Sequence, residues 1–134
     1  MKRGQIATDF LIACVIIAFL FALLYKLYSD QFAFRLSSAE EQSALRIAES
    51  VGSAANFALS EGNGSSARVF LEPLSSGSNY SVFFLQRRVE VTWPVSPANK
   101  SVSYPILSPS ISSGIHYSGE TIRIANDGGV LRVS

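Results

Sequence analysis

The chain changes its hydrophobic pattern twice. From Ile6 to Tyr25 twenty residues are almost wholly apolar, interrupted only by Thr8 and Asp9, and the stretch from Phe10 to Tyr25 carries no charge. After Tyr28 the apolar positions thin to one stripe: Ala44, Ile47, Val51, Ala54 and Ala58 follow at spacings of 3, 4, 3 and 4, the period of a single helical face. Glu40, Glu41, Arg46 and Glu49 fall away from it. Beyond Gly64 the period drops to two, and segments 68–71, 80–85, 89–93, 101–104, 121–125 and 130–133 read as strands. No proline occurs before Pro73, and Gly62-Asn63-Gly64 is the first cluster of helix breakers. One nearly continuous helix is therefore expected from about Gln5 to Glu61. Gly52 weakens it by about 1 kcal/mol without ending it.

Turn chemistry organises the rest. Asn126-Asp127-Gly128-Gly129 lies between two alternating segments and predicts a C-terminal hairpin. Gln86-Arg87-Arg88 is a second candidate turn, and 75–79, 94–100 and 108–114 read as loops. The fold class is α+β, a long N-terminal hydrophobic-to-amphipathic helix followed by a small antiparallel β domain. The expected layout is a basic leader at 1–4, a hydrophobic helix at 5–28, its amphipathic continuation at 29–62 and the β domain at 63–134. At ~1.5 Å per residue the helix would be roughly 85 Å long, too long for a small sheet to cover. The sheet is expected to cover the stripe through Phe70, Phe83 and Trp93. The remaining helix requires lipid, sibling copies, or both in turn.

The apolar run matches the ~20 residues that cross a bilayer core of about 30 Å. A removable secretory signal would end at a small-residue cleavage site, whereas Lys26-Leu27-Tyr28-Ser29-Asp30 follows here with no A-x-A pattern. Lys2 and Arg3 precede the span, and flanking basic residues favour the cytoplasmic side. The expected topology is N-terminus inside, residues 30–134 outside. Asp9 at the mouth of this run is costly, by roughly 2.5–3.5 kcal/mol if it sits at the span's centre, and such a charge marks a functional site by default. A carboxylate in a first helical turn also gains about 0.3–1 kcal/mol from the dipole, which accounts for Asp9 if it lies among headgroups.

Charge and composition narrow the function classes. The 134 residues carry eleven Lys+Arg against ten Asp+Glu, a net charge of +1. Removing residues 1–4 leaves nine basic against ten acidic residues. No basic field to attract nucleic acid results. Cys14, the only cysteine, lies in the apolar run and has no intrachain partner. His116 is the only histidine, in a Ser/Gly-rich neighbourhood that reads as a solvated loop. No P-loop, G-x-S-x-G or C-x-x-C spacing occurs. The expectation is a protein that is not an enzyme and has no catalytic, cofactor or metal residues. Asn63-Gly64-Ser65, Asn79-Tyr80-Ser81 and Asn99-Lys100-Ser101 are three N-glycosylation sequons in or beside predicted turns.

Lys2-Arg3-Gly4 before Gln5, then Asp9 and the apolar run, resembles the class III signal of archaeal type IV pilins and archaellins. In that family a basic leader ends in Gly and a membrane peptidase cuts before a Gln-led hydrophobic helix. The resemblance implies a leader cleaved between Gly4 and Gln5. Asp9 then meets the family's acidic fifth mature position, while Ala7 and Ala13 depart from its usual Ser and Leu. It also implies subunits that leave the membrane, stack their helices into a helical filament of copies, and pair the acid with a neighbour's N-terminal amine. The processing peptidase and the assembly machinery are the other implied partners. The function implied is a structural subunit of an extracellular archaeal type IV filament. The alternative is a single-span, membrane-tethered surface or minor pilin-like protein displaying a β-rich binding domain.

Overall fold

The computed structural model describes residues 2–108 and 110–134, apart from the side chains of Lys2 and Arg3. Met1 of the basic leader and Pro109 of the 108–114 segment lie outside the described residues. One helix, α1 (Lys2–Ser60), precedes eight strands: β1 (Ser66–Phe70), β2 (Ser81–Leu85), β3 (Arg88–Val95), β4 (Ala98–Pro105), β5 (Ile111–Ser112), β6 (His116–Tyr117), β7 (Thr121–Asp127) and β8 (Val130–Val133). The layout is α+β, a long N-terminal helix ahead of mostly antiparallel sheet. The chain divides into two compact units, Met1–Ser37 and Ser38–Ser134. The first unit is helix alone, and its side chains from Gly4 to Leu36 are exposed.

The second unit builds one core from the end of α1 and two sheets. Ala44, Ile47, Ala48, Val51, Ala55 and Ala58 of the helix are buried in a single cluster with Val82, Val89, Val91, Trp93, Ile122, Ile124, Leu131 and Val133. The helical stripe is thus wider than the sequence spacing suggested, taking in Ala48 and Ala55, while Ala54 is only partly buried. Of the three aromatics expected to cover it, only Trp93 does. Phe70 is 55% exposed, because β1 alternates so that Ala67 and Val69 turn inward. Phe83 sits opposite Glu90 on the outward face of β2, one residue from buried Val82.

The strands form two four-stranded sheets, in the orders β1-β7-β8-β5 and β4-β3-β2-β6, where one sheet was expected. Residues 71–80 leave the first sheet with Leu71, Leu74 and Tyr80 buried, so β1 pairs with distant β7 instead of β2. The β5–β8 pair is parallel, the one departure from antiparallel pairing among the described strands. Three tight hairpins complete the pattern. Gly128 and Gly129 both have positive φ, 63° and 91°, between Asp127 and Val130, as a type I′ turn requires. Gln86-Arg87 joins β2 to β3 with Arg87 at φ 62°. Ser96-Pro97, a cis peptide, joins β3 to β4, so both strands extend into the stretch that reads as loop.

Polar contacts lock the helix end to this scaffold. Gly62 (φ 91°) follows α1, and the buried Asn126 donates from Nδ2 to the Ala58 carbonyl at 3.3 Å. Its Oδ1 accepts the Gly129 N–H at 2.9 Å. One side chain therefore caps the helix and shapes the hairpin. Buried Tyr80 donates its hydroxyl to the Glu72 carbonyl at 2.7 Å. Burial, and then the Glu72 carboxylate, push its phenol well above the usual value.

Gly52 is the tightest packing point. A Cβ there would fall into the ring of Tyr104, near the ring's attachment and away from any flexible tip. Gly52→Ala should therefore destabilise residues 38–134 by about 1–3 kcal/mol through overpacking, outweighing the ~1 kcal/mol gain in helix propensity. Urea unfolding of that fragment measures the change, and adding Tyr104→Ala should remove the overpacking part. A stabilised Gly52→Ala fragment would contradict this packing.

Candidate assembly surface

The apolar run is the part of α1 that nothing covers among the described residues. Every large apolar side chain from Ile6 to Leu36 is exposed, from Phe10, Leu11 and Ile12 to Phe32, Phe34 and Leu36. Gly4–Ser60 is long and apolar enough to cross a membrane, and its most apolar window is wholly unburied. Tyr25 and Tyr28, both exposed, bracket Lys26 at the end of the run, the amphipathic residue types enriched at membrane–water boundaries. Cys14 is exposed within this surface.

The residues flanking the expected cleavage bond lie in regular helix. Gly4 and Gln5 are helical and exposed. The Gly4 carbonyl, on the bond that the resemblance marks for cleavage, accepts the Thr8 hydroxyl at 3.0 Å. A peptidase acting here must first open this turn. A Cβ on Gly4 would meet nothing within 4 Å, so the glycine is not required by packing within the chain.

Asp9 is exposed on the same helix. Its helix neighbours three and four residues away are Ile6, Gln5, Ile12 and Ala13, none of them a cation. No ion pair reaches it among the described residues. Because α1 starts at Lys2, Asp9 lies beyond the first turn, where the dipole effect fades. The dipole explanation therefore weakens for the intact chain.

The other singled-out residues are scattered over the second unit. Asn63, Asn79 and Asn99 are all exposed, but only Asn99 lies within a strand, β4. His116 is not a solvated loop residue. It lies on β6 opposite Val82, and its side chain is only 13% exposed. Nδ1 is 3.6 Å from the Glu120 carboxylate, and Phe84 packs edge-on at 6.3 Å. Its Nε2 is buried without a hydrogen-bond partner among the described residues. Strand pairing with Val82, 34 residues earlier, put it there, and no local signal carried that information.

A cavity of about 290 Å³ opens between α1 and β1, lined by Arg46, Ile47, Phe70 and Glu72 among others. It contains no His or Cys. No group of three or more His, Cys, Asp or Glu able to hold a metal occurs among the described residues. Comparison with protein-family models, curated proteins and solved structures finds no match to this chain.

The open surroundings of Gly4 yield a separable test. Gly4→Phe should abolish cleavage before Gln5, read as an intact N-terminus by mass spectrometry, while the circular dichroism of the chain stays unchanged. Normal processing of Gly4→Phe would place the cleavage site elsewhere.

Proposed function

We propose that this chain is a structural, pilin-like subunit of an extracellular archaeal type IV filament, held together through its N-terminal helix. The observation that carries this reading is the length of the exposed apolar surface. From Ile6 to Leu36 it would extend about 45 Å at ~1.5 Å per residue, against a bilayer core of about 30 Å. Lipid covers the part up to Tyr25. Phe32, Phe34 and Leu36 are left over, and packing against copies of the same helix covers both parts at once.

In this reading the chain inserts with Lys2 and Arg3 at the cytoplasmic face and residues 38–134 outside. A peptidase removes residues 1–4, and Gln5 becomes the new N-terminus. Its amine pairs with Asp9 of a neighbouring copy, so a carboxylate with no cation three or four residues away on its own helix gains one at assembly. Burying either charge alone would cost about 3–5 kcal/mol. The pairing therefore favours helices stacked at one axial offset. The second units then form the outer surface of the filament.

A second reading rests on the second unit's own closed core. Such a unit can stand alone, displayed singly by a membrane-tethered chain. The two readings differ in assembly. Asp9→Ala should sharply reduce the number and length of surface filaments containing this chain, counted by electron microscopy. The same substitution should leave the unfolding midpoint of the second unit unchanged. Filaments of normal number and length would eliminate the pairing role, and a chain found only as a detergent-extracted monomer would favour the tethered reading.

A further inference from the structure

The geometry points to Asn99 as the residue of this chain that receives an N-linked oligosaccharide, selected over Asn63 and Asn79 by the fold; this rests on the proposed placement of residues 38–134 outside the cell. The three sequons are equivalent as motifs and differ in what the structure does to them. At Asn63 the Oδ1 accepts the Gly128 N–H at 2.7 Å. The Ser65 hydroxyl of the same sequon donates to the carbonyls of Ala58 and Gly62. Its backbone is also held, since the Gly64 N–H donates to Asn126 and the Asn126 N–H donates to Ser65, both at 2.9 Å. The tripeptide is pinned between the helix end and the C-terminal hairpin.

Asn79 is hemmed in differently. Its middle residue, Tyr80, is buried, and Ser81 lies on β2 between β3 and β6, opposite Thr92 and Tyr117. The Ser81 hydroxyl is half-buried and donates to the Thr92 carbonyl at 3.5 Å, and the Asn79 Oδ1 accepts the Ser118 hydroxyl at 3.4 Å.

Asn99-Lys100-Ser101 lies on β4, the edge strand of its sheet, paired with β3 alone. Asn99 and Ser101 are exposed while Lys100 between them is partly buried, so the two sequon side chains share the outward face. No hydrogen bond holds either side chain among the described residues, and the strand is already extended. Both the acceptor amide and the hydroxyl two residues on are available without local unfolding.

The donor is an oligosaccharide on a polyisoprenyl pyrophosphate. Asn99 Nδ2 forms a bond to C1 of the first sugar as the C1–O bond to pyrophosphate breaks. The amide nitrogen gives up one proton, and the lipid pyrophosphate departs with the bonding electrons. No oxidant or reductant is involved. A glycan there also shields the open backbone edge of β4, the kind of edge that otherwise templates pairing with other chains.

The test uses the full-length chain in detergent, a purified single-subunit oligosaccharyltransferase and its lipid-linked oligosaccharide, with occupancy mapped by glycopeptide mass spectrometry. Asn99 should be modified roughly 30- to 150-fold faster than Asn63, the factor set by opening two or three net hydrogen bonds. Asn99→Gln should remove the main mass increment. Prior unfolding in urea and rapid dilution into the reaction should level the three sites. Equal rates at Asn63 and Asn99 in the folded chain, or modification only after unfolding, would overturn the selection by fold. Modification at Asn99 in detergent but no glycan on the chain from glycosylating cells would overturn the outside placement, and the assignment with it.

Discussion

Everything in this molecule is conditioned by an apolar helix that its own chain does not cover. Each large side chain between Ile6 and Leu36 is exposed, and covering one is worth about 1.5–3 kcal/mol. Summed over the helix, that exceeds the ~5–15 kcal/mol that holds a domain together. A bare first unit in water would drive association whatever the second unit does. In the proposed reading, the working states are those in which lipid or other helices take water's place. The one carboxylate between Ile6 and Tyr25, Asp9, then acquires meaning. A charge that is tolerable at a membrane boundary becomes costly between packed helices unless a cation meets it.

The same helix solves two burial problems with two compositions. In the first unit its surface is Leu, Ile and Phe, side chains that reach outward to whatever surrounds them. In the second unit the buried face is dominated by Ala44, Ala48, Ala55 and Ala58, with Gly52 beneath the Tyr104 ring. Small residues bring the helix axis close to the scaffold, and the large side chains come from the strands instead: Trp93, Ile122, Ile124 and Leu131. Asn126 completes the join by satisfying an orphan carbonyl of the helix end and a hairpin N–H together. The second unit is thus closed on itself, and the first is open.

Local features were readable from residues alone, and non-local ones were not. The long helix followed from the absence of breakers, and the C-terminal hairpin from Asn126-Asp127-Gly128-Gly129, because both depend on neighbours a few positions apart. The split into two sheets depends on β1 meeting β7 across more than fifty residues, which no turn motif encodes. Strand parity decided Phe70 and Phe83: a one-residue shift in register moves a side chain to the other face, and hydrophobicity alone does not say which. His116 was misread for the same reason, its burial being set by pairing with β2. Of the proposed assembly surface, Gly4, Gln5 and Asp9 stood out in sequence order. That Asp9 lies beyond the first helical turn, where the dipole effect fades, emerged only once the helix was seen to begin at Lys2.

In the proposed filament, copies of this helix cover one another. Cys14, the only cysteine and exposed on that surface, is a native attachment point for a spin label. In surface material containing the chain, double electron–electron resonance and continuous-wave line broadening should show labels on neighbouring copies within about 20–25 Å, roughly two helix diameters of about 10–12 Å. Labels that remain magnetically isolated at full labelling, with no distance in that range, would contradict the claim and leave the helix as a solitary membrane anchor.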